Sequence, residues 1–233
     1  MNRPLHIGIV GCSAEGASLC YRTICSEGAR ELGPHAHPEV SMHTPSLADY
    51  VKCLDAGDME GVAQLMLSSA GKLAAAGAQF LICPDNTIHQ AMDLVRPRSP
   101  LPWLHIAEVA AHEAKRRGFR RVGITGTRWL VDSDVYPQAL AAAGLEAVKP
   151  SLEERERMNR FIMDELVYGV FTPASVAYFQ GVIERLKAQG CDAVVLGCTE
   201  IPLIIDDGNS PLPTLDSTRL LARAALRRAI DDA

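Results

Sequence analysis

The sequence reads as an α/β protein made of two pseudo-symmetric lobes, each a parallel sheet flanked by helices. Two observations predict this. Short apolar, β-branched runs alternate with longer stretches rich in alanine and leucine, the pattern of strands joined by helical crossovers. The pattern also repeats. HIGIVGCS and RVGITGTR both read as strand, glycine and turn, and FLICPDNTIH and AVVLGCTEIP both read as apolar strand followed by small polar residues, the two words lying about seventy residues apart in each half.

In chain order the expected strands are His6–Cys12, Val40–Thr44, Phe80–Pro84, Trp103–Ile106, Arg121–Gly126, Glu146–Lys149, Ala193–Gly197 and Leu212–Leu215. Most are nearly continuous in apolar residues, as strands covered on both faces should be. The expected helices lie between them. Asp58–Gly77 carries Leu65, Leu67, Leu73 and an alanine run, with Gly77 suited to follow its end. Ala107–Gly118 closes on Lys115, Arg116 and Arg117, which favour a helix C-terminus. Ser151 with Glu154 forms a capping box that opens a helix through Leu166. Ala174–Gly190 and Ser217–Ile230 complete the set. Two such lobes place a ligand site in the cleft between the carboxyl ends of their strands. The proline-rich Arg96–Trp103 is the natural crossing, which makes residues 1–98 with 212–233 the first lobe and 99–211 the second.

Composition narrows the function. At 233 residues, 48% hydrophobic and 22% charged, the chain can bury a sizeable core and is not a disordered composition. A net charge of −5 gives no reason to expect a nucleic-acid partner. No run approaches the ~18 apolar residues of a membrane helix, and MNRPLHIGIVGC leads into a strand rather than a signal-peptide core, so a cytoplasmic protein without a membrane partner is expected. The seven cysteines are scattered and never form a C-x-x-C pair, which argues for neither a disulfide framework nor a zinc site. His35, His37 and His43 lack partners at metal-ligand spacing and read as a solvated loop; no metal is expected.

The residues able to carry chemistry stand at strand ends. Cys198, in VVLGCTEIP, follows a buried strand and precedes an expected helix start, where a helix dipole would enrich the thiolate. A buried structural cysteine fits the position equally well. Asp85, in LICPDNTIH, holds the matching place in the other half, followed by Asn86, Thr87 and His89; an N-cap aspartate is the alternative reading. Ser13 lies in the first strand–helix turn and Thr127 with Arg128 in its second-half counterpart, and backbone N–H groups there could hold a carboxylate. Arg219, Arg223 and Arg227 recur at helical spacing and read as a solvated face.

From Glu156 onward the chain closely resembles the aspartate/glutamate racemase superfamily. The words that carry the likeness are RMNRFIMDELVYGVF, GCDAVVLGCTEIPLII and LPTLDST; IGIVGCS, PDNTIH and GITGTR extend it more loosely over the first half. The resemblance implies a cofactor-independent enzyme of two pseudo-symmetric lobes, commonly a homodimer, in which two acid/base residues, usually both cysteines, face the substrate α-carbon from opposite sides. Cys198 matches the second-lobe cysteine without a gap. The first-lobe word is usually P-C-N-T-x-H; here it is PDNTIH, so Asp85 stands at that position, and Cys83, two residues earlier, would point back inside the sheet. By the same resemblance Ser13, Asn86, Thr87, Thr127 and Thr199 hold the substrate, and Glu200 and His89 support the catalytic pair. Ala14 and Leu130 depart from the residues usual at their positions, which bears on the side-chain pocket.

Racemisation without a cofactor needs hydrogen-bond donors aimed at the developing enediolate and two proton carriers. A cysteine/aspartate pair is asymmetric, because an ordinary carboxyl is a weak base and a poor acid near neutrality. The expected function is therefore racemisation or epimerisation of an amino acid. One-cysteine decarboxylation or cis–trans isomerisation of a small dicarboxylic acid, a non-catalytic carboxylate-binding protein, and a thiol hydrolase with His89 serving Cys198 remain the alternatives.

Overall fold

The structure, a computed structural model, describes residues 3–233. The chain divides into two compact units, one running to Ile106 and resuming at Thr218–Ala233, the other spanning Ala107–Ser217.

In the first unit the elements are β1 (Ile7–Val10), α1 (Ala14–Leu32), β2 (Val40–His43), α2 (Leu47–Asp55), α3 (Met59–Ala75), β3 (Phe80–Ile82), a 3-10 turn at Thr87–Ala91, the short α4 (Met92–Val95), and β4 (Trp103–Leu104). The chain then enters α5 (Ile106–Arg116), β5 (Arg121–Thr125), α6 (Arg128–Asp132), α7 (Val135–Ala142), β6 (Glu146–Val148), α8 (Leu152–Asp164), α9 (Pro173–Ala188), β7 (Ala193–Leu196) and β8 (Thr214–Asp216), and closes with α10 (Ser217–Asp231).

Both sheets are parallel and share one strand order: β2-β1-β3-β4 in the first unit and β6-β5-β7-β8 in the second. The repeat seen in the sequence is thus a repeat of topology, with β1 and β5, and β3 and β7, in equivalent places. Ile7, Gly8 and Ile9 pair with Phe80, Leu81 and Ile82, and Val122 to Thr125 pair with Ala193 to Leu196. All four residues of β1 and of β7 are buried, which is why their sequences, IGIV and AVVL, are unbroken in apolar residues. The edge strand β2, VSMH, is only half-buried and mixes polar residues in.

Local signals set the helix ends. Asp58 caps α3 by accepting the Gly61 N–H at 2.8 Å, and Gly77 follows the helix at φ +94°, a conformation that glycine adopts without strain. The capping box of α8 is present in full: the Ser151 hydroxyl accepts the Glu154 N–H, and the Glu154 carboxylate accepts the Ser151 N–H. The crossings fall later than the proline-rich run suggests. β4 follows that run and hydrogen-bonds β3, so the run belongs to the first unit, and β8 pairs with β7 and stays in the second. The last helix, α10, belongs to the first unit from Thr218 on. There Leu5 N–H donates to the Ala229 carbonyl at 2.8 Å, and Arg223 forms an ion pair with Glu27 of α1 at 2.8 Å, so the arginine spacing serves helix packing as well as solvation.

No disulfide joins the seven cysteines, five of which are buried. Among the described residues no helix is long and apolar enough to cross a membrane, and no group of three His, Cys, Asp or Glu could hold a metal ion.

One buried polar atom makes a stability prediction. Tyr50, on α2, is fully buried and its hydroxyl has no hydrogen-bond partner. Burial, together with the neighbouring Cys83, Cys12 and Asp85, pushes its phenol far above the usual range, so it stays protonated. An unsatisfied buried hydroxyl costs stability that an isosteric apolar ring does not. Tyr50→Phe is expected to raise Tm by about 2–4 °C, the shift that about 1 kcal/mol produces in a chain of this size. A thermal melt measures it, and a lowered Tm would count against the idea.

Candidate active site

In the first unit two turns leave the carboxyl ends of the adjacent central strands β1 and β3, where the strand order reverses. That is the position at which open parallel sheets bind ligands. After β1, Ser13 is extended and caps α1, its hydroxyl accepting the Gly16 N–H at 3.2 Å. After β3 the chain passes through buried Cys83 and Pro84 to Asp85, which is half-buried. One Asp85 oxygen accepts the Ile88 N–H at 3.2 Å, so the capping role that the local sequence favours is real.

His89 fixes this turn. Its Nδ1 lies 2.6 Å from the Asp85 carbonyl oxygen and its Nε2 accepts the Ile106 N–H at 3.4 Å. A carbonyl can only accept, so Nδ1 carries the proton, and the ring is neutral and ties the Asp85 backbone to the start of α5. His105 packs edge-on against it, ring centroids 4.5 Å apart, and burial lowers its pKa to about 4, with Arg96 adding to the effect. The second ring is therefore also uncharged near neutrality. Asn86, Thr87 and His89 are buried around the aspartate.

Cys83 is sealed. It is fully buried, and burial raises its thiol well above the usual range, the Asp85 charge adding to the rise. The acidic residue of this turn that is not fully buried is Asp85.

The second unit repeats the plan. After β5, Thr127 caps α6, its hydroxyl accepting the Leu130 N–H at 3.3 Å, and the Asn159 side chain accepts the Arg128 N–H at 3.1 Å. Arg128 itself is exposed and lies over the Trp129 ring. After β7, Gly197 donates its N–H to the Thr125 carbonyl at 2.9 Å. A Cβ on Gly197 would stand 2.5 Å from that same oxygen, so only glycine allows the ends of β5 and β7 to approach this closely and present Cys198 beside the Thr127 turn.

The surroundings of Cys198 differ from the sequence expectation. No α-helix starts behind it. Ile201–Leu203 form a single 3-10 turn, too short to supply a useful dipole. What faces the sulfur is a carboxylate. Cys198 S–H donates to Glu200 Oε2 at 2.8 Å, and the Thr199 hydroxyl donates to the same oxygen at 2.7 Å. Cys198 is 8% exposed and Glu200 2%. In this contact Oε2 is the acceptor, so the sulfur is the donor and carries the proton. The sequence carried no signal for the bond, because residues two apart meet only in an irregular turn. Asn159 was legible only as a member of the RMNRF word.

Each unit therefore gathers its share of the expected residues at one sheet end: Ser13, Asp85, Asn86, Thr87 and His89 in the first, and Thr127, Cys198, Thr199 and Glu200 in the second.

Comparison with known proteins agrees in kind. The chain is 24% identical over 189 residues to the broad-specificity amino-acid racemase RacX of Bacillus subtilis, covering 80% of this chain and 78% of that one. An Asp/Glu racemase candidate from Yersinia pestis superposes with a TM-score of 0.88 at 30% identity, covering 97% of this chain and 99% of the other. An aspartate racemase homologue from Pyrococcus horikoshii superposes with a TM-score of 0.81 at 28% identity, covering 99% and 100%. The family model described as Asp/Glu/Hydantoin racemase matches residues 7–225, so nearly the whole chain, both sheet ends included, belongs to that family.

Proposed function

We propose that this chain is an amino-acid racemase in which Asp85 and Cys198 carry protons to and from opposite faces of the substrate α-carbon. One observation carries the reading. At equivalent places in two units of identical strand order stand a half-buried aspartate and a thiol that donates to a carboxylate. They are complementary proton carriers, one ready to accept and the other ready to give.

The chemistry balances on those groups. For one enantiomer the Asp85 carboxylate takes the α-proton, the electron pair passes into the substrate carboxylate as an enediolate, and Cys198 S–H delivers its proton to the opposite face. Asp85 is left protonated and Cys198 as thiolate, the state that serves the other enantiomer. Ser13, Asn86, Thr87, Thr127 and Thr199, with the N–H groups of their turns, are the donors that would hold the substrate carboxylate and the developing charge. His89 acts through the Asp85 backbone and is a positioning residue. No cofactor is called on. The reading takes the protein as a cytoplasmic homodimer acting on a small free substrate, without a nucleic-acid or membrane partner, in keeping with its net charge of −5.

The test is proton NMR in deuterated buffer over both enantiomers of aspartate, glutamate and a panel of neutral amino acids. Loss of the α-proton signal from both enantiomers of at least one of them is expected. Silence across the panel would remove the reading.

A further inference from the structure

Glu200 does more than its two hydrogen bonds use. Its Oε2 receives both the Cys198 thiol and the Thr199 hydroxyl, whereas Oε1 is buried and has no hydrogen-bond partner. The residue is 2% exposed, and no cationic side chain pairs with it among the described residues. A carboxylate taken out of water without a cation is costly, and such a group persists where something else supplies the positive charge.

The partner of the other carboxylate oxygen narrows what that cation is, for Oε1 is bonded to the same carbon as Oε2. Both oxygens belong to the carboxylate that touches the Cys198 sulfur at 2.8 Å. If Cys198 serves the α-carbon, as the proposed function holds, its sulfur must come within ~3–3.5 Å of that carbon in the reactive complex. A cation on a distal side chain would lie away from this point. The positive group bonded directly to the α-carbon of an amino acid lies beside it. We infer that Glu200 Oε1 receives the substrate α-ammonium, so that Glu200 makes the site selective for free amino acids over their des-amino analogues. The ammonium donates to Oε1 while Oε2 keeps the thiol and the Thr199 hydroxyl in place; one side chain then sets both the orientation of the α-carbon and that of the group that protonates it.

Calorimetric titration of the full chain tests this with three matched pairs: L-glutamate and glutarate, L-aspartate and succinate, L-norleucine and hexanoate. In at least one pair the amino acid should bind about 10- to 100-fold more tightly, the factor that one charge-assisted hydrogen bond carries. Glu200→Gln keeps the size of the side chain and its ability to accept from the thiol. It should collapse that ratio towards one, whatever the change in the affinity of the des-amino partner. Equal affinities in every pair, no binding of any amino acid, or a ratio that survives Glu200→Gln would overturn the assignment. The wild-type comparison alone can do so, even if the variant does not fold. A Glu200-dependent ratio in a chain that exchanges no α-proton would leave this assignment standing and remove the racemase reading; exchange without the ratio would do the reverse.

Discussion

Replacing Cys198 by serine should slow racemisation by about 10²- to 10⁴-fold, the contribution of a positioned proton carrier. The substitution is nearly isosteric, and a serine hydroxyl can still donate to Glu200 Oε2, so the turn after β7 should keep its shape. What is lost is an acid of suitable strength. A thiol ionises near pH 8.5, whereas an alcohol holds its proton at any pH an enzyme meets. The loss should also be one-sided. The enantiomer whose α-hydrogen faces Asp85 can still surrender it to that carboxylate and recover a deuteron on the same face. Deuterium uptake without inversion should therefore persist for that enantiomer and vanish for the other. Proton NMR measures the exchange and circular dichroism the inversion. Racemisation within tenfold of wild type would show that the thiol carries no proton.

Asp85→Asn is the mirror experiment. The asparagine oxygen can still accept the Ile88 N–H, and the His89 bond is to the backbone carbonyl, so the turn after β3 is preserved. An amide does not accept a proton near neutrality, and racemisation should again fall by about 10²- to 10⁴-fold. The surviving exchange should now belong to the enantiomer that the serine variant silences. Unchanged racemisation in Asp85→Asn would reduce the aspartate to the helix cap that its bond to Ile88 already makes it. The same enantiomer surviving in both variants would mean that the two groups do not face opposite sides of the carbon.

The strands were legible because both sheets are covered on both faces: the apolar runs around Ile7–Val10, Phe80–Ile82 and Ala193–Leu196 match β1, β3 and β7 to within a few residues. The longest helix was not bounded. The buried stripe of α1 is Gly16, Ala17, Cys20, Thr23, Ile24 and Gly28, small residues that let it pack closely but leave almost no large apolar periodicity to detect. The nine-residue α2, and Tyr50 with it, was missed for a different reason: Leu47, Tyr50, Val51 and Leu54 do recur at helical spacing, but the helix is shorter than the window of about 11 residues over which that period is read. At the site, residue identity and strand-end position could be read for Asp85 and Cys198, but their surroundings could not. The helix expected after Cys198 is one 3-10 turn, so the field at the sulfur comes from a neighbouring carboxylate instead of a backbone dipole. The capping duties of Ser13 and Thr127 were hidden in the same way, since a residue that can hold a ligand and one that closes a helix look alike in sequence.

The placement of α10 has a consequence in time. Ala107–Ser217 is one unbroken stretch, whereas the unit that begins the chain is finished only by Thr218–Ala233. During synthesis the later half has all its parts on hand before the earlier one does. The earlier half must wait, with the ground that Ala229 and Arg223 will occupy still open, until the last helix leaves the ribosome.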